Sequence, residues 1–94
     1  MAIVITADLP NGTAEIDKSV MEKLNMRQSP APGSLMRLAG PGPNGGWRVV
    51  SVWESRELFD QFRRERLEPV LKDAGQALPQ YQYWTAESVM VPPK

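Results

Sequence analysis

The 94 residues suffice for a single domain, 1–94, and leave no room for a second core. Eleven basic residues balance eleven acidic ones, so no global field draws the chain to nucleic acid or an anionic membrane. With neither cysteine nor histidine, disulfides, the usual zinc and haem ligand sets, and triads built on a histidine base are excluded.

Residues 2–7 form a short β-branched apolar run suited to a central strand, ended by the turn chemistry of Leu9-Pro10-Asn11-Gly12. This N-terminal stretch lacks the basic start and long apolar region of a signal peptide. No apolar run approaches the ~20 residues that span a bilayer, so a cytoplasmic protein is expected. Thr13 stands as an N-cap with Glu15 in the first turn. Ile16, Val20, Met21 and Leu24 recur at helical spacing, with Asp17, Lys18, Glu22 and Lys23 assigned to the opposite face, giving a helix over 13–25. Two prolines and a glycine make 27–33 a loop, a second strand covers 34–39, and the glycine- and proline-rich 40–46 is a long hairpin turn. The third strand, Trp47 to Trp53, runs directly into a helix capped by Ser55 with Glu57 in its first turn. Leu58, Phe59, Phe62, Leu67, Val70 and Leu71 supply its apolar side. Asp60–Arg64, Arg64–Glu68 and Glu68–Lys72 are expected as ion pairs, and Arg63-Arg64-Glu65-Arg66 as a solvated face. Pro69 cannot donate to the carbonyl of Glu65, which predicts a kink or restart there. Gly75 suits the C-terminal cap, and Tyr81 to Val91 is expected as the last strand.

The order β-α-β-β-α-β, with right-handed crossovers, is that of an α+β, ferredoxin-like arrangement: a four-stranded antiparallel sheet with two helices on one face. The third strand is apolar on both faces. Trp47, Val49, Ser51 and Trp53 share one side; Val50 and Val52 lie on the other. Pairing Arg37 with Ser51, Leu35 with Trp53 and Ala39 with Val49 collects Met36, Leu38, Val50 and Val52 into an apolar set expected to receive the helices. The tryptophan side then needs a partner, and two sheets packing face to face in a C2 dimer would cover it.

The run GWRVVSVWESRELFDQFRRERLEPVLKDAG, with PAPGSLMRLAGP before it and this element order, resembles the dimeric α+β barrel proteins. Within them it is similar to small, mostly uncharacterised members related to the antibiotic biosynthesis monooxygenase-like proteins. VWES-x3-F-x2-F is the most specific part. The resemblance implies a homodimer whose sheets form a barrel, with a pocket in each subunit lined by sheet, helices and loops. It implies activities ranging from cofactor-free monooxygenases through haem-degrading enzymes to proteins without known activity. Relatives often carry a histidine on the second strand and another on the last. Arg37 and Glu87 stand at those places, so a histidine-dependent activity does not carry over.

The candidate ligand-binding residues are therefore Arg37, Ser51, Trp53, Trp47 and Glu87. Arg37 is suited to a carboxylate or phenolate; the plainer reading is a strand arginine at the rim or one pairing with Glu87. Trp47, Trp53 and Trp84 are suited to stacking on a planar ligand; the plainer reading is that they form dimer core or helix-facing core. Of Tyr81 and Tyr83, at most one is expected to line a given pocket. The leading expectation is a homodimer binding a small apolar or aromatic ligand, with cofactor-independent monooxygenase-like chemistry and no metal. A non-enzymatic interaction or stress-response protein is the alternative. An RNA-binding sheet module shares the topology but lacks a basic strand face.

Overall fold

In the computed structural model, which describes residues 2–93, the chain runs β1 (Ala2–Leu9), α1 (Ala14–Leu24), β2 (Ser34–Pro41), β3 (Trp47–Trp53), α2 (Arg56–Phe62), a π-helical turn (Arg63–Leu67), α3 (Glu68–Asp73) and β4 (Gln80–Ala86). The strands pair antiparallel in the order β2-β3-β1-β4. Helices cover one face, which makes this the ferredoxin-like α+β fold.

Local chemistry sets the helix ends. Thr13 accepts the Ile16 N–H at 3.1 Å and Ser55 accepts that of Leu58 at 3.2 Å, each satisfying a donor that the first turn leaves free. Asn25 ends α1 in the left-handed conformation, φ 52°, with its N–H on the Met21 carbonyl. Pro69 lacks the N–H that Glu65 would need, and the helix solves this upstream. It widens by one residue through the π-helical turn, where the Glu68 N–H reaches the Arg63 carbonyl, and α3 then restarts with proline in its first turn.

That extra residue brings Glu68, five positions on, to Arg63. The pairs formed are Arg56–Asp60, Arg63–Asp60 and Arg63–Glu68, not the expected ones through Arg64. Nor is 63–66 wholly solvated: Arg66 donates to the carbonyls of Leu24 and Ser29 at 2.7 and 2.8 Å, tying down the end of α1. The last strand ends at Ala86 rather than Val91, because Ala86 already pairs with Ala2 at the start of β1. Val89, Met90 and Val91 lie beyond it, exposed.

Arg37 faces Ser51 and Ala39 faces Val49, as the pairing chemistry suggests, but Trp53 faces Ser34. A bulge at Leu35 takes up one residue and turns that leucine outward. The two faces of the sheet are exchanged relative to expectation. Trp47, Val49, Ser51 and Trp53 lie under the helices, where Trp53 packs edge-on against Phe59 (5.4 Å) and against Phe62 (5.1 Å). Met36, Leu38, Val50 and Val52 lie on the open face, with Val4 and Trp84. The reason lies in β1. Its row Ile3, Ile5, Ala7 and Leu9 contains no polar residue and pairs with the tryptophan row, while Thr6 and Asp8 share the other. The all-apolar row of the central strand takes the core, and Ile5 is 1% exposed.

Candidate ligand-binding site

Between the sheet and the helices lies a cavity of about 230 Å3. β1 and β3 make its floor with Ile5, Ala7, Leu9, Trp47, Val49, Ser51 and Trp53. α1 contributes Ile16, Val20, Met21 and Leu24, and α2 contributes Phe59 and Phe62. The helices stand off the centre of the sheet because small side chains, Ala7, Val49 and Ser51, occupy the middle of the floor while tryptophans hold its ends.

Polar groups are few and each has a distinct state. Arg37 lines the cavity and is held by Asp17 of α1, donating to both carboxylate oxygens (Nη1 to Oδ2, 3.2 Å). Ser51 Oγ accepts the Trp53 indole N–H at 3.1 Å, which accounts for a hydroxyl in this apolar surface. Among the described residues, none offers a hydrogen-bond acceptor to the buried Trp47 indole N–H or the buried Tyr81 hydroxyl.

Tyr81 and Tyr83 are two residues apart and so share the helix-facing side of β4. Tyr81 lines the cavity; Tyr83 turns to Asp60, donating at 3.2 Å, with the Arg56 guanidinium over its ring at 3.8 Å. Burial, reinforced by the neighbouring Glu68 carboxylate, pushes the Tyr81 hydroxyl far above the usual phenol pKa. That carboxylate pairs with Arg63 and lies outside hydrogen-bonding geometry to the phenol. Burial, then the Asp60 charge, raise Tyr83 as well. Burial works to raise Asp60, but hydrogen bonds from Arg63 and Tyr83 and the charges of Arg63 and Arg56 outweigh it and hold this carboxyl low.

Of the residues singled out in the sequence, Arg37, Ser51, Trp53 and Trp47 come together in the cavity wall. Glu87 does not: it follows β4, at the opposite edge of the sheet from β2, and is exposed. A pairing of Arg37 with Glu87 within the subunit is thereby replaced by the one with Asp17. Asp17 went unrecognised because its neighbours are charged. Its spacing of three and four from Val20 and Met21 nevertheless puts it on the border of the apolar stripe.

The site is thus an apolar pocket with one ion pair, Arg37–Asp17, in its wall, inside a ferredoxin-like α+β domain. The chain matches no protein-family model and no curated protein by sequence. Solved structures do share its fold. A protein of Chloroflexus aurantiacus J-10-fl with the provisional name antibiotic biosynthesis monooxygenase is 12% identical, with TM-score 0.65, over 97% of this chain and 98% of that one. SnoaB of Streptomyces nogalater, a cofactor-independent oxygenase, is 14% identical with TM-score 0.61 over 95% and 94%. A dimeric ferredoxin-like protein of unknown function from Thermobifida fusca YX is 14% identical with TM-score 0.64 over 92% of each chain. These structures share the ferredoxin-like α+β fold of this chain over nearly the whole length of each.

Proposed function

We propose that this protein is a cytoplasmic homodimer that holds a small apolar or aromatic ligand between its sheet and helices and oxygenates it without a cofactor. The observation that carries the ligand reading is the cavity itself: about 230 Å3, walled by aliphatic and aromatic side chains, with the Arg37–Asp17 ion pair in its lining. The oxygenase reading is supported by SnoaB, which shares the fold and is a cofactor-independent oxygenase. In this chemistry a hydroxylated aromatic loses a proton, and the carbanionic ring carbon reacts directly with O2. One oxygen atom stays on the carbon and the other leaves as water, the substrate supplying the electrons. Arg37, drawn from Asp17, would stabilise the developing negative charge, and Trp53 with Phe59 would wall the reacting ring from water.

The homodimer is supported by the open face. Leu38 and Trp84 there are 60% and 59% exposed and Met36 47%, and large apolar side chains gathered on one uncovered sheet face mark a contact surface. The Thermobifida fusca relative in fold is described as dimeric.

Aerobic incubation with 1-naphthol, whose oxygenation at the ring carbon para to the hydroxyl gives 1,4-naphthoquinone and water, followed by oxygen uptake and quinone absorbance, tests the reaction. Arg37→Ala should lower the enzyme-dependent rate by at least tenfold while leaving the sedimentation coefficient unchanged. Uptake no faster than the buffer blank, across a panel of mono- and dihydroxy bicyclic aromatics, would overturn the oxygenase reading. Binding without uptake would leave a carrier rather than an enzyme.

A further inference from the structure

Among the described residues, the cavity wall carries three titratable side chains, Asp17, Arg37 and Tyr81, and the chain has no histidine. A group that takes a proton from a ligand held there comes from this set. Arg37 stays a cation and has no lone pair to offer. Burial, reinforced by the Glu68 carboxylate, keeps the Tyr81 hydroxyl protonated well past the usual phenol range. Asp17 is the one carboxylate in the wall, and it remains.

Its setting suits the task. Asp17 and Arg37 reach the cavity from different elements, α1 and β2, and meet with two guanidinium N–H groups on the two carboxylate oxygens. An ionised carboxylate has about four lone-pair sites, so this fork leaves each oxygen able to accept one O–H more. The side chains of Asp17 and Arg37 keep 17% and 30% of their surface, so neither partner is sealed in. The balance of charge points the same way. A lone phenolate in an apolar cavity is strongly disfavoured, because an unpaired charge is taken out of water. Transfer of the proton to Asp17 creates no unpaired charge. The carboxylate–guanidinium pair becomes a phenolate–guanidinium pair beside a neutral acid.

We infer that Asp17 is the catalytic base of this cavity, taking the hydroxyl proton of a neutral phenolic ligand while Arg37 passes from the carboxylate to the phenolate oxygen. The O–H bond of the ligand breaks, its proton bonds to an Asp17 oxygen, and its electron pair stays on the phenolate. After O2 has added to the ring carbon, that proton passes to the peroxide oxygen, which restores the Asp17–Arg37 pair. This rests on the reading of the cavity as an oxygenase site and names the residue that starts the reaction.

The test is the pH profile of oxygen uptake with 1-naphthol, corrected for the enzyme-free blank, in wild type and Asp17→Asn. At neutral pH the variant should be slower by at least about 100-fold, the low end of what a positioned base contributes. Its affinity for 1-naphthol, read by tryptophan fluorescence, should stay within about threefold. A phenol ionises in solution near about 10. The rate of Asp17→Asn should therefore climb roughly tenfold per pH unit from about pH 7 to pH 9, as the ligand arrives already deprotonated, while wild type gains far less. Asp17→Ala, which keeps the helix propensity of α1, serves in its place if the asparagine variant does not fold. With an active wild type, two results would overturn the base assignment alone. One is a variant within threefold of wild type at neutral pH. The other is a loss of rate that ligand ionisation does not repair, which would make Asp17 a positioning partner of Arg37. A wild type no faster than the blank would overturn the oxygenase reading, and this inference with it.

Discussion

On the helix side of the sheet, β1 presents Ile3, Ile5, Ala7 and Leu9; on the open side it presents Val4, Thr6 and Asp8 between Val50, Val52 and Trp84. Both faces are rich in apolar side chains, yet one is sealed by helices around a cavity and the other is bare. The aromatic rows, which carry hydrogen-bonding edges, sit on the sealed side, where Ser51 and Asp60 are placed to meet two of them. The open side is mainly aliphatic, with Trp84 exposed on it and Asp8 paired with Arg48 near its end. A face proposed to meet a second copy gains most from groups that ask mainly for exclusion of water. A pocket meant for selective binding is best made of groups that ask for a specific atom.

The sharpest way to break this comparison is to truncate one residue on each face. Trp53 is 2% exposed and meets both Phe59 and Phe62, so Trp53→Ala should cost about 3–5 kcal/mol, as large aromatic truncations in cores do. Leu38→Ala, on a side chain 60% exposed, should cost well under ~1 kcal/mol in dilute solution. Urea unfolding at concentrations where the protein is monomeric separates the two. Similar losses would mean that the open face is as much core as the other.

Next in size is the effect on assembly. Leu38→Asp puts a charge into the middle of the proposed interface, where association would strip it of water. Dimer affinity should fall by at least about 30-fold by sedimentation equilibrium. The circular dichroism spectrum should be unchanged, since Leu38 supports no helix. A wild-type protein that sediments as a monomer at micromolar concentration would remove the dimer altogether.

How much of this was legible in the chain depends on where the information is local. Thr13 and Ser55 announce the helix starts, Pro69 announces an interruption, and Arg37 with Ser51 gives most of the β2–β3 register. The orientation of the sheet is not local to β3, because both of its rows are apolar. The signal lay one strand away, in Thr6 and Asp8, which mark the open side of the central strand. The bulge at Leu35 and the π-helical turn each insert one residue, and neither has a motif. The turn is the response of the whole helix to Pro69, and it brings Glu68 rather than Glu65 or Leu67 onto the face of Arg63. Of the site, Arg37, Ser51, Trp47 and Trp53 were readable as one row. Asp17 and the isolation of the Trp47 and Tyr81 donors depend on packing between distant elements.

The smallest expected effect compares one carboxylate on each face. Asp60 sits among Arg56, Arg63 and Tyr83 on the helix side, and Asp8 pairs with Arg48 on the open side at 2.7 Å. Both carboxyls are held below their ordinary value. For Asp8 the hydrogen bond from Arg48 is the main cause; for Asp60 burial opposes the shift but is outweighed by Arg63 and Tyr83. A carboxyl lowered by folding stabilises above its unfolded value of about 3.9 and loses that contribution as pH falls through the folded value. Raised tyrosines act in the opposite sense: Tyr81 and Tyr83 stabilise below about 10 and lose this as pH climbs through their folded values. Stability should therefore fall at both extremes. Asp60→Asn should flatten the acid limb and cost on the order of 1 kcal/mol at neutral pH through its charge-assisted hydrogen bonds. Asp8→Asn should do less, because the side chains of this pair are 40% and 48% exposed and water screens them. Urea midpoints measured from acid to neutral pH would compare them. An acid limb flattened as much by Asp8→Asn as by Asp60→Asn would mean that the aromatic enclosure of Asp60 adds nothing to its pairing, and that the two faces differ in packing but not in electrostatics.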